Sequence, residues 1–233
     1  MESLIFALVA FVGSHFILSH PLRHPLIRTL GRSGFLGLYS VVALATFAWV
    51  VIAYTKAPTV FLWTPPAFFY PLTNLVMLVA LILFVGSLIQ PNPMMVHPVS
   101  PEGAAVAPPN LPKAPRGVVA ITRHPMMWGI GLWAISHALV NGDAATLALC
   151  IGITVLALGG AVLQDRRKAA EFGADWNRFV NETAYVPFGA QAAKRLPWRT
   201  VWPGWLVVVG GVSLFVALAF FHEALFGVPA LRP

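Results

Sequence analysis

Long apolar stretches alternate with short basic ones along this chain. Six runs contain no Asp, Glu, Lys or Arg: residues 4–20, 34–54, 72–89, 125–140, 144–163 and 205–222. A hydrocarbon layer of about 30 Å is crossed by roughly 20 apolar residues in helical form. The fourth run is the shortest, and the segment 117–121 just before it is also apolar. None of the runs shows the two-residue alternation of a barrel strand. Backbone groups in lipid must find partners within their own segment or in a closed barrel, so the runs read as helices. The pattern predicts an all-α fold, a polytopic membrane helical bundle of about six transmembrane helices forming a single domain over 1–233. Two polar segments stand apart. Residues 91–116 carry eight prolines and read as an extended cytoplasmic loop. Residues 165–182 read as an amphipathic helix continuing the fifth run into the cytoplasm. Phe172, Trp176 and Phe179 share one face of it, which would lie along the membrane surface or cap the bundle.

Composition agrees. Hydrophobic residues make up 58% of the chain and charged residues 10%, against about a quarter charged in soluble domains. The net charge of +7 would suit a nucleic-acid partner, but its placement accounts for it otherwise. Thirteen of the fifteen Lys and Arg residues fall in the connections 20–33, 90–124 and 164–204, leaving Lys56 and Arg232. These are alternate connections, so the positive-inside rule puts them in the cytoplasm and both termini outside the cell inner membrane. Cys150 is the only cysteine, which excludes a disulfide framework, a Cys-rich zinc site and a CxxCH haem attachment. Glu2 stands where a signal peptide would be basic, so residues 1–20 read as a retained helix.

Ionisable groups inside membrane spans are functional candidates by default. His15 lies in the first run, and His137 lies in the fourth, one turn after Trp133. A neutral imidazole either ligates a metal or bonds to a neighbouring helix. The second candidate is Thr122-Arg123-His124-Pro125. Proline favours the first turn of a helix. Arg123 and His124 would therefore sit at a helix N-terminus, where free N–H groups and the dipole attract an anion. That anion would be a phospholipid headgroup, a cofactor carboxylate, or Asp165 or Asp175 from the helix 165–182. The chain contains no HExxH, GxSxG or P-loop pattern, and no carboxylate falls in the six runs.

The stretch GVVAITRHPMMWGIGLWAISHALVNGD over 117–143, with FVGSHFILSHPLR near the N-terminus, resembles the NnrU family and the related zeta-carotene isomerases. NnrU takes its name from an association with nitrite and nitric oxide reduction. The isomerase relative uses haem b to isomerise a cis double bond in a carotenoid. The resemblance implies haem b held by His15 and His137. Trp133 beside His137, and Arg123 and His124 at the start of the fourth run, are further candidate cofactor-binding residues from the residue pattern. His20 or His24 with His124 is an alternative ligand set nearer the cytoplasm. The isomerase has a cysteine three residues before its second histidine; here that position is Ala134, which removes any exchange of thiolate for imidazole. The implied function is a redox or nitrogen-oxide-linked accessory role beside a partner membrane reductase, or isomerisation of an apolar polyene taken from membrane lipid. A third expectation comes from TRHPMMWG followed by RRKAAEFGADWNRFVNETAYVPF. This pairing resembles isoprenylcysteine carboxyl methyltransferases, which bind S-adenosylmethionine. The acidic pair of that family is here Gln164-Asp165, with one acid.

The charge split makes a topology prediction. A reporter fused after Pro233 is expected to be active only as an extracytoplasmic type, and activity of a cytoplasmic reporter there would overturn the span count.

Overall fold

A computed structural model describes residues 1–94, 111 and 114–231. Most of the expected proline-rich loop, at 95–110 and 112–113, lies outside the described residues, as does Arg232. The helices are α1 (Glu2–Ser19), α2 (Arg23–Thr55), α3 (Phe69–Ile89), α4 (Val118–Ile121), α5 (Pro125–Val140), α6 (Ala144–Thr154), α7 (Gly160–Glu182), α8 (Gly189–Ala192) and α9 (Trp205–Phe226). A π-helical segment, Val155–Gly159, joins α6 to α7 without a break. Five helical stretches are long and apolar enough to cross a membrane, among them the continuous Ala144–Glu182. The 16-residue α5 is apolar but shorter, about 24 Å at 1.5 Å per residue. The protein is an all-α, multi-pass membrane protein.

The described residues form two compact units. The first comprises Met1–Thr73 and Trp133–Leu163. Leu4, Ala7, Leu8 and Phe11 recur at helical spacing on α1 and are buried with Val50 and Ala53 of α2 and Ala145 of α6. Contacts of Leu8 at Gly152 and Phe16 at Gly159 set α1 and α6 side by side in the same direction. The segment expected as a basic connection, 20–33, is helical from Arg23 onward and turns sharply at Gly31 (φ 68°, ψ 172°). Only glycine adopts that backbone cheaply, so a helical start and the apolar run are joined by one kink.

At one end of this unit the turn Asn141-Gly142-Asp143 is held down by the segment before α3. Leu62 N–H donates to the Gly142 carbonyl at 2.7 Å, and Ala144 N–H donates to the Val60 carbonyl at 2.9 Å. The Asp143 carboxylate caps α6 by accepting from Thr146 N–H at 2.8 Å. The Thr146 hydroxyl in turn meets Tyr54 Oη at 2.8 Å.

The second unit comprises Asn74–Leu132 and Gln164–Pro233. Its core gathers Leu83, Met94, Val118, Val119, Ile121, Trp176, Phe179 and Val207. The helix expected over 165–182 is kinked at Gly173 (φ 52°, ψ −122°), yet its aromatics still gather: Trp176 and Phe179 are fully buried, and Phe172 packs beside them. The helix therefore caps this core. Lys168 is buried within the cap. Its ammonium donates to the Pro93 carbonyl at 2.8 Å and lies 5.5 and 5.4 Å from the rings of Phe172 and Trp176. The four-residue α4 is wholly buried. The Gln90 side chain ties its start to the Pro203 carbonyl, and Gln191 reaches the carbonyl of Ala120. On α9, Trp205, Leu206, Val209, Val216, Phe220 and Phe221 are exposed, as lipid-facing residues are.

Gly142 gives a test of the cap. A Cβ there would strike the Trp63 carbonyl, a backbone atom that cannot rotate away. Gly142→Ala is expected to destabilise the protein by about 1–3 kcal/mol, the usual range for overpacking, read as a lower thermal midpoint in detergent.

Candidate functional site

Proline dictates the local geometry of the Arg123-His124 pair. Thr122 is extended (φ −151°, ψ 144°) and ends α4, and α5 begins at Pro125. The two residues between are thus fixed at the entry to a helix. Arg123 N–H donates to the Ala184 carbonyl at 2.9 Å. The guanidinium closes on one carboxylate oxygen of Asp165, with Nε at 2.7 Å and Nη2 at 2.6 Å from Oδ2. His124 Nε2 stands 2.9 Å from the other oxygen, Oδ1. That approach is oblique, so it is a close polar contact rather than a straight hydrogen bond. The His124 side chain is 0% exposed. The anion held at the start of α5 is therefore supplied by the chain itself.

Tyr185 closes the site through its backbone. Its carbonyl accepts from the Thr122 hydroxyl at 2.7 Å and from Trp128 Nε1–H at 2.8 Å. Its ring packs edge-on to His124 and sits 5.9 Å from the Arg123 guanidinium. Burial alone would raise the Asp165 carboxyl. The hydrogen bonds and charges of His124 and Arg123 outweigh it and hold the group below the usual carboxylate range. Burial pushes the Tyr185 phenol up, helped by the nearby Asp165 charge and opposed by Arg123. Both guanidinium nitrogens in contact go to Asp165, so a cofactor carboxylate at Arg123 would have to displace it.

The other sequence candidates lie in the first unit. His15 Nδ1 is 2.7 Å from the Phe11 carbonyl, and its ring stands between Phe11 and Tyr39. His137 Nδ1 is 2.8 Å from the Trp133 carbonyl, and its ring tilts over the Trp133 indole at 4.8 Å. A carbonyl only accepts, so Nδ1 is the protonated nitrogen in each neutral ring and the Nε2 lone pair is the donor. Orienting a ligand histidine through its other nitrogen is the usual outer-shell arrangement of metal sites. His15 lies at the level of residues near Gly159, whereas His137 is six residues before the capping Asp143. Their Cα positions therefore differ in depth by roughly 15 Å. Each ring folds back toward the N-terminus of its own helix, and the short turn between α5 and α6 makes those directions opposed, which narrows the difference in depth at Nε2. An imidazole held through Nδ1 with its Nε2 lone pair available is the kind of donor that would hold a haem iron. Ala134 is fully buried. His20 follows α1 directly and His24 falls in the first turn of α2. Among the described residues, no three His, Cys, Asp or Glu side chains converge on a metal position.

The sequence pattern marked Arg123, His124 and Asp165 as a charged group, but gave no role to Thr122, which stood only as part of the motif, or to Tyr185; these act largely through a hydroxyl and a carbonyl. No periodicity marks such contacts. The segment Tyr185-Val186-Pro187-Phe188 carried only a resemblance.

Comparison with known proteins places the chain. The family described as NnrU protein matches residues 3–230. The 15-cis-zeta-carotene isomerase, chloroplastic, of Arabidopsis thaliana is 35% identical over 89 residues, 38% of this chain and 24% of that protein. The Zea mays protein of the same name matches with the same identity and coverage. The match thus spans about a quarter of the length of these curated relatives. No solved structure matches.

The Asp165 network predicts an acid limit. Removing one partner of a buried pair strands the other charge, so Asp165→Asn is expected to cost roughly 3 kcal/mol. Because the folded carboxyl is depressed, its contribution is complete above the ordinary value of about 4 and is lost as pH falls through the lower folded value. Thermal midpoints measured from pH 7 downward should fall below pH ~4 in the parent protein. The same step should be missing in Asp165→Asn.

Proposed function

This chain belongs to the NnrU family, and on that premise we propose that it is a membrane isomerase acting on a cis double bond of an apolar polyene dissolved in lipid. The observation that carries the reading is the 35% identity over 89 residues to two plant 15-cis-zeta-carotene isomerases. The fold suits such a substrate. A long polyene partitions into the bilayer, and α1, α2, α3 and α9 expose large apolar side chains along their lengths.

In this reading haem b is the cofactor, held by His15 and His137, and it supplies a redox-active iron. The chain's own contribution is to fix the two imidazoles. The Phe11 and Trp133 carbonyls take the Nδ1 protons, which orients each ring and keeps each Nε2 basic. Phe11, Tyr39 and Trp133 flank the rings. Arg123, Asp165 and His124 anchor the start of α5, the helix that carries His137. In this reading the chain resides in the inner membrane with its basic connections in the cytoplasm, an orientation the charge split supports.

Ala134 favours a second reading. The relative's proposed thiolate ligand has no counterpart here, and two imidazoles without a leaving ligand suit electron transfer beside a membrane reductase that handles nitrogen oxides.

Expression in cells that accumulate 15-cis-zeta-carotene separates the two. The isomerase reading expects conversion to the trans product, a b-type pyridine haemochrome in the purified protein, and loss of both in His15→Ala and His137→Ala. Haem without conversion would favour the accessory role. Saturable binding of S-adenosylmethionine without haem would favour a methyltransferase.

A further inference from the structure

Beside the Asp165 network lies a cavity of about 30 Å³, lined by Asn92, Met94, His124, Pro125, Met126 and Met127. Three of these six residues are methionines, and the walls are almost wholly apolar. His124 is buried, and its Nδ1 has no hydrogen-bond partner. A buried polar atom left without a partner is unfavourable, which makes Nδ1 a candidate donor to an occupant.

The tautomer follows from Asp165. A carboxylate oxygen 2.9 Å from Nε2 repels a ring lone pair there and attracts a proton. In the neutral ring the lone pair is therefore on Nδ1. A carboxylate behind an imidazole whose other nitrogen carries the lone pair is the usual support of a metal-ligating histidine. The methionines are also positioned. Asn92 Oδ1 accepts from Met94 N–H at 3.0 Å while its amide reaches the Ser87 carbonyl, which pins Met94 at the cavity. Met126 and Met127 follow Pro125 in the first turn of α5.

We propose that this cavity is a binding site for a soft monovalent metal ion, Cu(I), ligated by His124 Nδ1 and the thioethers of Met94, Met126 and Met127. Thioethers are soft, uncharged donors that suit Cu(I), whereas Zn²⁺ sites use thiolate, imidazole and carboxylate ligands and Mg²⁺ and Ca²⁺ take oxygen. The cavity is large enough for a single ion or a single water, and apolar walls give a water too few partners. The N-terminus of α5 opposes a cation, as does Arg123. The Asp165 carboxylate, in contact with both Arg123 and His124, offsets the guanidinium and leaves the helix end as the opposing charge, so an ion of a single positive charge costs least to bury. The site is independent of the two histidines assigned to haem and of the isomerase reading.

The test uses the full chain in detergent, titrated anaerobically with Cu(I) in competition with bicinchoninate, and with Ag(I) as a redox-inert probe. One equivalent of Cu(I) is expected to move from the chelator to the protein, and Zn²⁺ is expected not to bind there. Met126→Leu and Met127→Leu, which keep side-chain volume, should each weaken binding at least about tenfold. Adding Met94→Leu to both should abolish it, with far-UV circular dichroism and thermal midpoint unchanged. In protein labelled at the methionine methyl groups, Ag(I) should shift the resonances of Met94, Met126 and Met127 and leave those of Met1 and Met77 in place. The methyl-shift readout needs no variant to fold. No transfer of metal, transfer undiminished in the triple variant, or shifts confined to other methionines would overturn the proposal.

Discussion

A backbone in hydrocarbon has no water to turn to, so each N–H and C=O must be satisfied by the segment that carries it. That constraint makes the long apolar runs helices and leaves polar chemistry only at their ends and kinks. The places where this protein departs from straight helix follow from it. Gly31 bends α2 where the basic start meets the apolar run. The turn before Asp143 is closed by carbonyls and N–H groups of residues 60–62. The buried α4 exposes helix-end groups to an apolar core, and two glutamines, Gln90 and Gln191, meet them.

Where charge does enter the interior it comes with partners. Lys168 lies among aromatic rings and ends on a carbonyl. Asp165 is shared between a guanidinium and an imidazole. The second arrangement has a consequence beyond stability. It sets Nε2 of His124 against a carboxylate oxygen, which favours the proton there and leaves Nδ1 as the donor atom of the proposed site beside the methionine-lined cavity. An ion pair that serves to start a helix also prepares a ligand. His15 and His137 follow the same rule with a carbonyl in place of the carboxylate, which gives both proposed centres the same chemical logic.

The apolar runs, the basic connections and the helical character of 165–182 were legible in the amino-acid sequence, because each is a local property. Side-chain period and charge per segment need no knowledge of neighbours. His15, His137, Arg123 and His124 also stood out locally, as ionisable groups in or beside apolar helices. What the sequence by itself determined is therefore a multi-pass helical membrane protein with its candidate residues on named helices. Only the tertiary structure decided what those residues meet. Arg123 and Asp165 are 42 residues apart, and Thr122 and Tyr185 are 63 apart. The choice of Asp165 over Asp175 as the anion, the Tyr185 carbonyl as an anchor, and the gathering of Met94 with Met126 and Met127 all depend on how α7 and the end of α3 pack against the start of α5. Such contacts arise from the burial of Trp176, Phe179 and the α4 turn in one core. Periodicity carries no record of that packing.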